Sequence, residues 1–217
     1  MIQFNQKPEP IDKVVVGLGN PGAEYSGSRH NMGFRALDVF LQAEGIKKFF
    51  KPTGKARIQK VKIHGERVLL VRPTTFMNLS GSAVKNILNE HELDLSSLLV
   101  IHDEMDIEPG RGKMKIGGSA AGHNGVADII EKCGEDFARL KIGIGKPESE
   151  GEDASIGWVL GKPDDEEEKK YLAIMPEIAR AIHAWITDGP EIAMNRFNSL
   201  FKNNSESDDR SNGEEKG

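Results

Sequence analysis

The sequence predicts an α/β fold: a single domain with a twisted mixed β-sheet and helices on both faces. Three observations predict it. Short all-apolar runs at Val14–Leu18 and Leu98–Ile101 have the composition of strands buried on both faces. Alternating segments at 56–72, 113–116 and 140–144 have the two-residue period of strands. Apolar residues at three- and four-residue spacing lie between them, so strands and helices interleave along the chain, as in two- or three-layer α/β domains.

The elements follow in order. Val14–Leu18 opens the sheet. Phe34, Leu37, Phe40 and Leu41 fall on one helix face, and Gly45 ends it. Ala56–Ile63 and Arg67–Arg72 form a hairpin about His64-Gly65. Ala83, Val84, Ile87 and Leu88 mark a second helix, opened by Ser80 or Ser82. Leu98–Ile101 is a central strand that delivers His102-Asp103-Glu104 at its end. Met114 and Ile116 alternate with Lys113 and Lys115. Asn124–Cys133 is a helix, and Leu140, Ile142 and Ile144 mark a strand. Residues 164–188 form a long helix that Pro176 should kink or split. A short helix over about 190–200 closes the domain.

Composition sets the outer limits. The 217 residues suit one domain, here 13–202, with a 1–12 extension and a 203–217 tail. The tail carries five acids and two bases and no large apolar residue, so disorder is expected there. No apolar run approaches the ~18 residues a membrane helix needs, so no membrane association is expected. MIQFNQKPEP lacks the pattern of a secretory or transit signal. Cys133 is the single cysteine, which excludes an intrachain disulfide and fits the reducing cytoplasm. Its setting, IIEKCGED, matches no catalytic signature. The net charge is −5, yet KKFFKPTGKARIQKVK (47–62) holds seven bases and no acid. Such a run is either a solvated surface or a local nucleic-acid contact.

VVVGLGNPGAEYSGSRHNMGF (14–34) contains Gly17-x-Gly19-x-x-Gly22, the spacing of a dinucleotide-binding turn. Its context argues otherwise. Ser26-Gly27-Ser28 discourage a helix starting in the motif, and the only candidate acid, Asp38, falls inside a helix rather than at a strand end. The polar residues beyond the strands are more informative. Ligands of open α/β sheets gather at the carboxyl ends of strands. Asn20, Asn78, the His102-Asp103-Glu104 run and the His123-Asn124 pair all follow apolar runs or a glycine-rich turn, and Arg29-His30-Asn31 opens a helix. Singly, each reads more readily as a cap or turn residue. Together they define a candidate cleft.

Its chemistry is narrowed by what the chain lacks. There is no G-x-S-x-G elbow, no GK[ST] phosphate loop, no H-E-x-x-H and no cysteine cluster. His102, Asp103, Glu104 and Asp106 make a poor chelate, because neighbours on a strand point to opposite faces. A histidine without a Ser or Cys partner suits general-base activation of water, with an Asp behind it to orient the ring. Asparagine amides suit a carbonyl and its developing oxyanion. The set fits hydrolysis of an ester, without metal or cofactor.

GLGNPGAEYSGSRHNMGF, RPTTFMNLSG, HDEMDIEPG and GHNG, in this order, closely resemble bacterial-type peptidyl-tRNA hydrolase. RLKIGIGKP, WVLGKP and TDGPEIAMNRFN extend the resemblance over about residues 13–200. It implies a monomeric α/β enzyme that cleaves the ester between peptide and tRNA, recycling tRNA, without metal or organic cofactor. It implies His30 as the base and Asp103 as its support. Asn20, Asn78 and Asn124 would contact peptide, ribose or water, Tyr25 would stand on the substrate side, Met77 would line the cleft and His123 would shape its wall. The glycines of 17–22 then shape a turn that places Asn20 and leads to His30.

A tRNA substrate requires phosphate contacts. Lys113 and Lys115 on one strand face and Lys141, expected to face out from another, are the candidates, with Arg111 nearby. Three departures from the family pattern bear on this. Lys141 stands where arginine is common, the glycine loop reads GGSAAGHNG, and PESEGEDAS is a longer, acidic loop that would repel RNA. Two other readings compete. A non-catalytic RNA-binding relative of the same fold would bind tRNA without cleaving it. A general peptidase or esterase would act on small substrates without tRNA.

Overall fold

The structure, a computed structural model, describes residues 10–202. Most of the 1–12 extension and the whole acidic tail lie outside the described residues. The end of that extension belongs to the domain: Ile11 is buried, and the Asp12 carboxylate accepts from the Arg67 backbone N–H (2.8 Å).

Seven strands of the described residues form one sheet: β1 (Lys13–Gly17), β2 (Lys51–Thr53), β3 (Ala56–Ile63), β4 (Glu66–Pro73), β5 (Leu98–Glu104), β6 (Gly112–Ile116) and β7 (Ala138–Gly143). Their order is β2-β3-β4-β1-β5-β7-β6. The four central strands, β4, β1, β5 and β7, run parallel, and antiparallel pairing is confined to the two sides. The expected mixed sheet is therefore present. β1 and β5 lie in its middle, which explains why their sequences are continuously apolar.

Among the described residues six α-helices cover it: α1 (Met32–Ala43), α2 (Ser80–His91), α3 (Asn124–Cys133), α4 (Glu152–Leu160), α5 (Asp165–Thr187) and α6 (Pro190–Ser199). One core joins α1, α5 and α6 to the sheet through Leu37, Phe40, Leu70, Ile101, Tyr171 and Trp185. The other joins α2 and α3 to the opposite face through Val16, Leu69, Val84, Leu98 and Ile129. Helices thus pack on both faces.

Several expectations are corrected. β5 does not stop at Ile101; it continues through His102, Asp103 and Glu104, all buried. α1 is preceded by a 3-10 turn over Arg29–Asn31. Ser80 begins α2 without capping it through its side chain; its hydroxyl donates back to Met77 O (2.8 Å). Pro176 does not split α5, which runs unbroken for 23 residues. Burial of Tyr171, Ile174, Met175 and Ile178 around the proline outweighs its cost of ~3 kcal/mol. The acidic segment read as a loop turns helical from Glu152. Two acids in the first turn suit the positive end of a helix, and α4 lacks the buried stripe that periodicity detects.

The glycine motif acts through packing. A Cβ on Gly17 would stand 2.2 Å from Gly33 O, and one on Gly33 would stand 2.3 Å from Leu18 N and 2.4 Å from Ile101 O. Bare backbone on both sides lets the start of α1 sit directly on the ends of β1 and β5. α1 begins ten residues after Gly22, and Asp38 is bonded to Arg72 within it, so no dinucleotide turn exists here.

Candidate active site

The close seating of α1 brings the Arg29–Asn31 turn over the carboxyl end of β5. His30 Nδ1 lies 3.0 Å from both oxygens of Asp103. The carboxylate can only accept, so Nδ1 carries the proton and Nε2 keeps its lone pair. His30 and Asp103 are both buried.

A second histidine meets the same carboxylate. His123 precedes α3, and its Nδ1 accepts from the Val126 backbone N–H (3.3 Å). A backbone N–H can only donate, so this bond puts the ring proton on Nε2, which donates to Asp103 Oδ1 (3.1 Å). The Asp103 carboxylate is thereby held by two imidazole donors. Burial alone would raise its pKa; the charge and hydrogen bonds of His30 and His123 outweigh burial and hold it far below the usual carboxylate range. For His30, burial works to lower the pKa, but the Asp103 charge and hydrogen bond prevail and the net shift is upward.

His102 points to the other face of β5. Its Nδ1 lies 2.6 Å from Asp103 O, and its ring stands edge-on to His123 at 4.7 Å. Burial, then the neighbouring His123, hold it neutral, well below the ordinary histidine range. Its role is therefore packing behind His123 rather than proton transfer.

Asn20 follows β1. Its Oδ1 accepts from Met77 N (2.8 Å), which identifies that atom as the oxygen and leaves Nδ2 as a donor. Asn31 clamps the Asn20 peptide from both sides: Asn31 Oδ1 accepts from Asn20 N (2.7 Å) and Asn31 Nδ2 donates to Asn20 O (3.1 Å). Met77 is buried, and a Cβ on Gly125 would stand 2.5 Å from its sulfur, so that glycine lets α3 close on Met77.

A cavity of about 150 Å³ opens beside His30, lined by Asp103, Glu104, His123, Asn124 and the α4 residues Ile156 and Val159. Asn20 and Asn31 line a second cleft of about 560 Å³. The cavity thus brings together His30, Asp103, His123 and Asn124, while Asn20 and Met77 are bonded to each other outside its lining and reach the His30 turn through Asn31. Tyr25, half-buried in the turn Ala23–Tyr25, and Asn78, exposed in the turn Met77–Leu79, do not line the cavity at His30.

Among the described residues, ligand atoms of His30, Asp103 and His123 come within 4.8 Å of one another, a spacing open to a metal. In this arrangement both imidazole nitrogens facing Asp103 are protonated donors. A metal would need them deprotonated and turned toward a common point.

The lysines divide. β6 and β7 pair Lys113 with Lys141 and Lys115 with Arg139, so all four cations share one face. Lys113 is exposed and Lys115 half-buried. Burial lowers the Lys115 pKa, and the charges of Lys141, Arg139 and Lys113 add to this. The expectation that Lys141 faces out is corrected: its side chain is 12% exposed and ion-paired with Glu104. Both lie on the same sheet face, and β5 covers what the isolated strand pattern leaves open. Arg139 is fully buried and donates to Ser119 O (2.7 Å) and to Gly118 O, holding the glycine loop. The sequence named Arg29, Asn31 and Glu104 only as neighbours of His30 and Asp103, with no role of their own, and did not point to Arg139. Adjacency to His30 and Asp103 was the only signal for the first three.

Comparison with known proteins adds the family. The Peptidyl-tRNA hydrolase family model matches residues 14–207. Peptidyl-tRNA hydrolase of Dehalococcoides mccartyi (strain CBDB1) is 42% identical over 188 residues, covering 86% of this chain and 99% of that one. The Clostridium tetani protein of the same name is 41% identical, over 86% and 97% of the two chains. The crystal structure of peptidyl-tRNA hydrolase from Acinetobacter baumannii superposes with a TM-score of 0.80 at 34% identity, over 87% of this chain and 96% of that one. With this fold and this match over nearly all of the described residues, the chain belongs to the peptidyl-tRNA hydrolase family.

Proposed function

We propose that this protein hydrolyses the ester between a peptide, or an N-blocked aminoacyl group, and the 3′-terminal ribose of tRNA, recycling tRNA from prematurely released peptidyl-tRNA. Family membership supports the substrate. The observation that carries the mechanism is the fixed tautomer of His30, with Nδ1–H on Asp103 and Nε2 free.

In this reading His30 Nε2 takes a proton from water as the water oxygen attacks the ester carbonyl. Asp103 holds the ring and stabilises the imidazolium that forms. Asn20 Nδ2 and the Asn124 amide donate to the carbonyl oxygen as it gains charge. Collapse breaks the bond to the ribose oxygen, which receives the proton from His30. Water is the only co-reactant, and the sequence supplies no firm metal or cofactor motif. Tyr25 and Asn78 would reach bound substrate from the rim. Lys113, Lys115 and Lys141 would meet tRNA phosphates, with Glu104 holding Lys141 in place. The enzyme acts as a monomer in the cytoplasm.

The test is release of free N-acetylaminoacyl groups and deacylated tRNA by purified protein in EDTA. Chelator-resistant cleavage is expected. Binding of tRNA without cleavage would favour the non-catalytic RNA-binding relative. Equal cleavage of small esters without tRNA would favour a general esterase.

A further inference from the structure

We propose that Arg29 is a positioning residue that fastens α4 to the turn carrying His30 and so fixes the wall of the cavity beside the base. The proposal rests on the reading that this cavity receives the acyl or peptide part of the substrate. Glu152, Ser155, Ile156 and Val159 of α4 line the cavity, yet α4 has no buried residue and no side-chain cap at Gly151. Only Trp158 and Val159 pack, partly buried, against the core, so the contacts at its C-terminal end weigh heavily in holding it.

Those contacts converge on Arg29. Its backbone N–H donates to Gly161 O (3.0 Å), just beyond α4. Its Nη1 donates to Trp158 O (3.2 Å), and its guanidinium stands 3.7 Å from the centre of the Trp158 ring. The Trp158 ring is itself tied to the chain just beyond β7, where Nε1 donates to Gly145 O (2.9 Å). The rest of the Arg29 fork is bidentate on Glu167 (3.0 and 2.5 Å). Glu167 also accepts from Asp164 N (2.9 Å), closing the capping box that starts α5. Arg29 is buried and is followed directly by His30. One planar side chain therefore joins the roof of the cavity, the start of α5 and the chain leading to the base.

Lysine keeps the charge but can neither fork onto Glu167 nor lie flat on Trp158. Its effect should fall on acyl binding, because His30 and Asp103 keep their mutual contact. The test compares wild type, Arg29→Lys, Trp158→Leu and the double variant on tRNA carrying one N-acetylated residue and on tRNA carrying a tetrapeptide.

For Arg29→Lys, KM for the tetrapeptide substrate should rise about tenfold, within the range of coupled contacts. KM for the single-residue substrate should rise less. The acid limb of the pH profile should stay where it is. Trp158→Leu should do the same, and the double variant should be no worse than either single one. Trp158→Leu leaves the Arg29–Glu167 pair intact, so it carries the test should Arg29→Lys fail to fold. Equal losses on both substrates, a shifted acid limb or additive effects would overturn the proposal. A wild-type KM that ignores acyl length would overturn the acyl-side reading and the proposal with it. A length-dependent wild-type KM left unchanged in the variants would overturn the proposal alone.

Discussion

His30 and His123 both point a protonated ring nitrogen at the Asp103 carboxylate, at 3.0 and 3.1 Å. A buried carboxylate with two such donors stays ionised, and an ionised Asp103 keeps the His30 proton on Nδ1. The free lone pair of the proposed base thus depends on a bond the base does not make, the one from Val126 N to His123.

The first prediction concerns pH. A base must be neutral, so kcat/KM should fall as pH drops through the His30 pKa, which the Asp103 charge holds above the ordinary histidine value. Asp103→Asn removes that charge. The acid limb should move to lower pH while kcat falls about 10²–10⁴-fold. Rate profiles of both proteins between pH 5 and 9 check this. An acid limb that stays in place would detach the titration from His30.

The same shift has a consequence for stability. The His30 pKa is higher folded than unfolded, so the Asp103 pair stabilises fully below the unfolded value and its contribution fades as pH rises through the folded one. Removing His30 should therefore cost more stability at pH 5 than at pH 8. Urea denaturation of wild type and His30→Ala at the two values measures the difference.

Asn31→Ala removes both hydrogen bonds that hold the Asn20 peptide. The buried Asn20 N–H loses its acceptor, at a cost of about 1–3 kcal/mol. Because Asn20 then shifts relative to His30, kcat should fall by more than KM rises. Asn31→Asp keeps the acceptor for Asn20 N and should recover much of the stability but less of the rate. Denaturation midpoints and kinetics on the two variants separate these effects.

The two lysines should behave differently. Lys115→Ala should weaken tRNA binding, with the slope of log affinity against log salt falling by about one. Lys141→Ala leaves Glu104 buried without its partner and should also destabilise the fold, by roughly 3–5 kcal/mol. A thermal melt and a salt titration on each variant check the contrast.

What the sequence disclosed follows from which interactions leave a periodic trace. β1 and β5 were legible because they are buried on both faces, and α1 because Phe40 and Leu41 share a stripe. α4 was illegible because it buries nothing fully, and β2 because it is three residues long and contains Pro52. The pairing of His30 with Asp103 was foreshadowed by Asp103 at the end of an apolar run, His30 at the opening of a helix, and the ordered motifs. The bonds of Arg29 and Asn31 were not. Each stabilises backbone or side chains far away in sequence, Glu167 being 138 residues from Arg29, and such bonds have no period. The error on Lys141 has the same origin: alternation gives the face of a strand but not what the next strand places beside it.

His30 is the proposed base. Single-turnover cleavage of N-acetylaminoacyl-tRNA in EDTA, with enzyme in excess of its tRNA dissociation constant, compares wild type with His30→Ala directly. The variant should bind tRNA as wild type does and cleave it at least ~10²-fold more slowly. Cleavage by the folded variant at the wild-type rate would contradict it.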